Sequence, residues 1–94
     1  MIIITSEVII KKEHWEEALE LAQKHVNASR LEDGCISHQY LISPEIEHCI
    51  FFYEEWKDRA AIDYHFKQSY SLEIRKNFGR WVTNEIDIKF HKVE

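Results

Sequence analysis

The run CISHQYLISPEIEHCIFFYEEW, residues 35–56, decides the fold. Residues 35–43 and 48–56 are rich in β-branched and aromatic side chains, and Ser43-Pro44-Glu45 between them is the kind of triplet that opens a tight turn. The run reads as a β-hairpin. Its turn sets Cys35 opposite about residue 56 and Cys49 opposite about residue 42. The two cysteines then stand on the order of 20 Å apart along the ribbon, beyond the ~7 Å that a disulfide spans. Two free thiols are expected, which suits a reducing compartment.

Working outward, residues 13–31 carry Trp15, Ala18, Leu19, Ala22 and Val26 at helical spacing, with Glu13, Glu16, Glu17, Glu20 and Lys24 on the other side. Gly34 is expected to stop that helix. The β-branched run 2–10 reads as a strand before it. Beyond the hairpin, Asp58 is placed to cap a short helix that has Ala61, Ile62, His65 and Phe66 on one side. A break at Ser69-Tyr70-Ser71 precedes a further helix presenting Tyr70, Ile74, Phe78 and Trp81, its last turn weakened by Gly79. Residues 84–93 alternate, with Ile86, Ile88 and Phe90 on one side and Glu85, Asp87, Lys89 and His91 on the other, and read as a half-exposed strand. The order β-α-β-β-α-β predicts one α+β domain over residues 1–94 of the ferredoxin-like, split-βαβ plan, with an antiparallel sheet.

Composition narrows the partners. The net charge of −5 argues against a nucleic-acid partner, since phosphate binding needs a clustered basic face and the basic runs here are only Lys11-Lys12 and Arg75-Lys76. Met1–Ile4 meets Thr5-Ser6-Glu7 too early for a signal peptide or membrane span, so a cytoplasmic protein is expected. In a two-layer domain the uncovered sheet face should alternate apolar with polar residues. Ile2-Ile3-Ile4 and Ile50-Phe51-Phe52-Tyr53 instead place large apolar groups on both faces, which predicts a homodimer closed through the open sheet face.

Three segments carry a family likeness: Ser29-Arg30-Leu31-Glu32-Asp33-Gly34-Cys35, then Phe52-Tyr53-Glu54-Glu55-Trp56-Lys57-Asp58, then Ala60-Ala61-Ile62-Asp63-Tyr64-His65. Together they resemble the antibiotic biosynthesis monooxygenase superfamily, whose small members show an E-x-G-C turn, a Y-E-x-W strand end and an A-L-x-x-H helix. The likeness implies a dimeric α+β barrel. It also implies a cofactor-independent monooxygenase of the quinol type, in which a dihydroxy-aromatic anion itself reduces dioxygen in a shaped pocket. Its haem-degrading relatives use a helix histidine, a first-strand Asn and a helix Trp. This chain has Leu72-Glu73-Ile74-Arg75 and Thr5-Ser6-Glu7 in those regions, which speaks against haem. A phosphosugar isomerase branch and a non-catalytic, small-molecule-binding or stress-associated dimer are the alternatives.

Under this reading His65 or His38 is the catalytic base, histidine being suited to proton transfer near neutral pH. Trp56, Tyr53, Tyr64 and Phe66 shape the pocket and Glu54 orients a donor. Each has a plainer reading. Glu54 and Trp56 share a strand face, where a carboxylate must be paired; Arg30 or Arg59 would serve, and Trp56 would be a core filler with an N–H to satisfy. His65 and His38 would be satisfied core or rim histidines. His14, His25, His48 and His91 show no ligand spacing with one another or with cysteine, so no metal site is expected, and the likeness implies that no other cofactor is used. Glu32-Asp33-Gly34-Cys35 reads as a helix stop and strand entry without chemistry.

Overall fold

The computed structural model describes all 94 residues. Strand β1 (Ile2–Ile9) leads through a 3₁₀ turn (Lys12–His14) into α1 (Trp15–Ser29), followed by the hairpin β2 (Cys35–Ile42) and β3 (Cys49–Trp56). Two helices, α2 (Arg59–Lys67) and α3 (Ser69–Trp81), precede a short β4 (Lys89–Lys92). The sheet order is β2-β3-β1-β4, antiparallel throughout, which is the ferredoxin-like α+β arrangement with the two most apolar strands at its centre. The hairpin register lies one residue from the spacing argument: Ile42 pairs with Ile50, not Cys49, and the bulge at Ile36 brings Cys35 opposite Trp56; both cysteines are free.

Local chemistry sets the boundaries. Asp58 accepts a hydrogen bond from the Ala61 N–H at 2.9 Å and so starts α2. The interruption between α2 and α3 is a single residue, Gln68, in an extended conformation (ψ 150°), with Ser69-Tyr70-Ser71 already inside α3. His48 closes the hairpin turn with a left-handed φ of 57°. At the start of β2 the ladder skips Ile36 between Cys35 and Ser37, a bulge that leaves Ile36 exposed, while His38 lies in the regular ladder opposite Glu54.

Two expectations change. Gly34 lies beyond the helix end at Ser29 and has no left-handed φ, so it is not a conformational stop. Its role is proximity: a Cβ at Gly34 would overlap the Cβ of Ala61 on α2. Residues 84–93 also do not form one strand. Asn84 takes over the edge of β1 with its side chain, accepting from Ile9 N–H at 2.8 Å and donating to the Glu7 carbonyl at 3.1 Å. The chain then leaves the edge, and pairing with β1 resumes only from Lys89 opposite Thr5.

The helices cover one sheet face and bury two separate apolar clusters. The larger joins Val8, Ile50 and Phe52 of the sheet region to Ala18, Ala22 and Val26 of α1 and to Ile74 and Phe78 of α3. The smaller is Ile4, Trp56 and Ile62. On the opposite face Ile3, Ile9, Phe51 and Tyr53 stay half-buried beside a polar group in which Glu55 accepts from Ser37 (2.6 Å) and Tyr53 (3.1 Å).

Gly34→Ala is expected to destabilise the fold by about 1–3 kcal/mol through overpacking, with Ala61→Gly restoring most of the loss in the double variant. Urea unfolding of the two single variants and the pair measures this.

Candidate functional site

All six buried polar or charged residues of the chain, His25, Ser29, His38, Glu54, His65 and Ser71, gather in one place between the two apolar clusters. β3 supplies the centre. Its even-numbered residues face the helices, so Phe52, Glu54 and Trp56 project inward, and Glu54 is only 8 % exposed. Trp56 donates its indole N–H to Glu54 Oε1 at 2.9 Å. His38 pairs with Glu54 across the β2–β3 ladder and holds Nε2 3.4 Å from the same oxygen, although neither ring nitrogen of His38 is aligned for a hydrogen bond. From α2, His65 places Nε2 4.0 Å from that oxygen. The partners of Glu54 are therefore an indole and two imidazoles. The arginines considered for it are engaged elsewhere, Arg30 with the His38 carbonyl and Arg59 with Asp63.

Glu32 turns the cluster into an oriented device. Its side chain is 5 % exposed, and Oε2 lies 2.7 Å from His65 Nδ1 while also accepting from the Tyr70 hydroxyl. An ionised carboxylate can only accept, so Nδ1 of His65 carries the proton and Nε2 keeps its lone pair. That lone pair is directed toward Glu54 and the Ser71 hydroxyl, 3.5 Å away. Glu32 is thus a positioning residue rather than a bare strand entry.

The fourth participant, His25, comes from α1. It lies on the buried helix face with Ala18, Ala22, Val26 and Ser29, and its ring stands 5.2 Å from those of both His38 and His65. One ring nitrogen from each of the three histidines lies within 4.8 Å of those of the other two. His25, which shows no ligand spacing in the sequence, is brought beside His38 and His65 because three separate elements meet here. The available signal was helical phase: His25 is three residues past Ala22 and four before Ser29, on the packed row.

Burial, and then the neighbouring His38 and His65, pull His25 down to about 4. Burial likewise lowers His65, outweighing the opposite pull of Glu32 and Glu54. For Glu54 burial works upward, but His38 and the Trp56 N–H prevail and hold it below the usual carboxylate range. At neutral pH the His25 ring is therefore uncharged. Cys35 is pushed up to about 11 by burial and by Glu32, which makes it a poor nucleophile.

A cavity of about 310 Å³ opens onto this cluster. His25, Glu54 and His65 line its inner end; Phe52, Phe78 and Ile86 are among its apolar walls, and Ile88 and Arg75 stand at the exposed end. Among the residues expected there, His65, Glu54 and Phe66 line the cavity. His38 and Trp56 sit behind its wall, fully buried in van der Waals packing. Tyr53 is on the opposite sheet face bonded to Glu55, and Tyr64 is 58 % exposed on α2. The sequence reading left out His25, Glu32, Tyr70 and Ser71.

The His25 shift has a signed consequence. The unfolded chain takes up a proton below about pH 6.5, whereas folded His25 resists until about 4. Its contribution is complete above pH 6.5 and is lost as pH falls toward 4. Glu54, whose pKa is lowered in the fold, and His65 act in the same direction. Urea titrations of chelator-treated protein should show about 2–3 kcal/mol less stability at about pH 4.5 than at about pH 7.5; a flat profile would contradict buried, neutral imidazoles.

Comparison with known proteins agrees with this architecture. Residues 1–77 match the antibiotic biosynthesis monooxygenase family. An uncharacterised protein of Synechocystis sp. is 30 % identical over 92 residues, 98 % of this chain, and the chain spans 63 % of that protein's length. YcnE of Bacillus subtilis, provisionally named a monooxygenase, is 34 % identical over 65 residues, 69 % of this chain and 68 % of that protein. The crystal structure of an antibiotic biosynthesis monooxygenase superposes with a TM-score of 0.92 over 100 % of this chain and 99 % of its own, at 21 % identity, which is a likeness of fold. On the extent of that family match, the chain belongs to the antibiotic biosynthesis monooxygenase family.

Proposed function

We propose that this protein is a monooxygenase for a small quinol or other dihydroxy-aromatic compound, with His65 as the base. The observation that carries this reading is His65 at the inner end of an apolar cavity with Glu32 Oε2 2.7 Å from its Nδ1, a contact that leaves Nε2 as the ring's acceptor. A base held by a carboxylate and facing an apolar-walled pocket is suited to removing a phenolic proton. The aryloxide is electron-rich enough to reduce dioxygen. One oxygen atom ends on the ring as a hydroxyquinone and the other leaves as water, the substrate supplying all the electrons. Val8, Phe52 and Phe78 would hold the ring, and the cavity would exclude water while it reacts. Arg75, the cation at the cavity, already donates to the Phe66 carbonyl at 2.6 Å and lies over the Phe66 ring, which favours an aromatic ligand over a phosphosugar.

His65→Gln is expected to lower quinol-dependent oxygen uptake by about 100-fold or more, the ordinary worth of a general base. Glu32→Gln should lower it by roughly 10- to 100-fold, as loss of an orienting carboxylate does. Both should retain a folded circular-dichroism spectrum. Oxygen-electrode traces across a panel of quinols test this, and uptake no faster than the spontaneous rate for every member would reject the oxygenase.

We further propose that a second copy of the chain covers the open sheet face, where Ile3, Ile9, Phe51 and Tyr53 are half-buried in the single chain. Sedimentation should give a dimer at micromolar concentration, and Phe51→Glu a monomer. A monomeric wild type would remove this part of the account. No helix is long and apolar enough to cross a membrane.

A further inference from the structure

We infer that His25, His38 and His65, with Glu54 beside them, form a binding site for a divalent first-row transition-metal ion. The first observation is the convergence of one nitrogen from each imidazole to within 4.8 Å. The nitrogens of a tetrahedral zinc site, at about 2.0–2.1 Å from the ion, stand roughly 3.4 Å apart. Closure requires side-chain movements of roughly an ångström, without a change in the fold.

The second observation is the state of the other ring nitrogens. His65 Nδ1 is held by the Glu32 carboxylate and His25 Nδ1 lies 3.4 Å from the Tyr70 carbonyl. These are the outer contacts that metal-bound histidines ordinarily make, and they leave Nε2 of both rings free to coordinate. The third is His38, whose side chain is fully buried while both ring nitrogens lack a hydrogen-bond partner. A buried imidazole left in that condition is costly, and a cation bound at Nε2 would relieve it. Glu54 Oε1, 3.4 Å from His38 Nε2 and 4.0 Å from His65 Nε2, is placed as a fourth ligand.

Charge and donor type agree. Two buried carboxylates, Glu54 and Glu32, meet three imidazoles, and a divalent ion makes the group neutral when those imidazoles are uncharged. Three nitrogen donors select zinc, cobalt, nickel, copper or iron over magnesium and calcium, which prefer all-oxygen sites. The cavity reaches His25, His65 and Glu54 and supplies an entry path.

This inference does not depend on the oxygenase reading, and it is tested without substrate. Chelator-treated protein is titrated with Co²⁺ and with Zn²⁺, with Mg²⁺ as control. The expected result is one Co²⁺ per chain with visible bands of a four- or five-coordinate site, competed away by Zn²⁺ and unaffected by Mg²⁺. His25→Gln and His38→Gln should each weaken binding by more than about 100-fold, and Glu32→Gln by roughly 10- to 100-fold. His14→Gln and His91→Gln, outside the cluster, should leave binding unchanged. If a buried variant does not fold, NMR of the Co²⁺-loaded wild type decides: the ring protons of His25, His38 and His65 must be the ones shifted. No saturable binding, or binding that survives loss of His25 and His38, overturns the site. A bound ion takes the Nε2 lone pair of His65, so zinc should stop quinol oxidation; zinc binding at this site without that effect would reject His65 as the base and leave the metal site standing.

Discussion

Glu54 is a carboxylate placed in the middle of the covered sheet face of a 94-residue domain, and much of the surrounding structure serves to make that charge tolerable. An isolated buried charge would cost several kcal/mol or more. Here the indole N–H of Trp56 meets one oxygen, and His38 and His65 approach the same atom from β2 and α2. The arrangement divides the core into two apolar clusters with a polar layer between them. A small domain does not gain stability by interrupting its core in this way, since apolar packing of equal volume usually does as well or better. Such a layer is more readily understood as serving chemistry.

Within the layer the roles are graded by distance from the cavity. Glu32 and Tyr70 lie outside the cavity lining and fix the tautomer of His65; His65, Glu54 and His25 face the cavity; and His38 and Trp56 back them. The same geometry suits two chemistries that share an atom. On the proposed oxygenase reading, Nε2 of His65 is unoccupied and serves as a base at the end of an apolar slot. With an ion on the three imidazoles, that lone pair is spent on coordination. If both proposals hold, the affinity of the three imidazoles for the ion sets which of the two states the site adopts at a given ion concentration.

The fold was legible because its signals are local. Alternation in the hairpin, the apolar row of α1 and the Asp58 cap gave the element order, and the turn gave the hairpin register to within one residue. The Glu54, Trp56 and His65 neighbourhood also followed, through strand parity and helix phase. The rest depended on contacts between distant parts of the chain. Glu32 is 33 residues from His65, and nothing in Glu-Asp-Gly-Cys announces that the first of these side chains turns inward. His25 becomes chemically interesting only when α1 lies over β2. Residues 84–88 alternate like a strand, yet the Asn84 side chain fills the β1 edge first. The Ile36 bulge, invisible to a strict two-residue period, shifts Cys35 by one residue to bring it opposite Trp56, while His38 faces Glu54 in the regular ladder.

The account rests on the protonation of one ring. Long-range ¹H–¹⁵N NMR of the imidazoles, recorded on the metal-free protein near neutral pH, reads it directly. The account predicts a neutral His65 with its proton on Nδ1, held by Glu32, and an unprotonated Nε2. A proton on Nε2, or an imidazolium at that pH, would contradict both the base and the ligand that the geometry assigns to this residue.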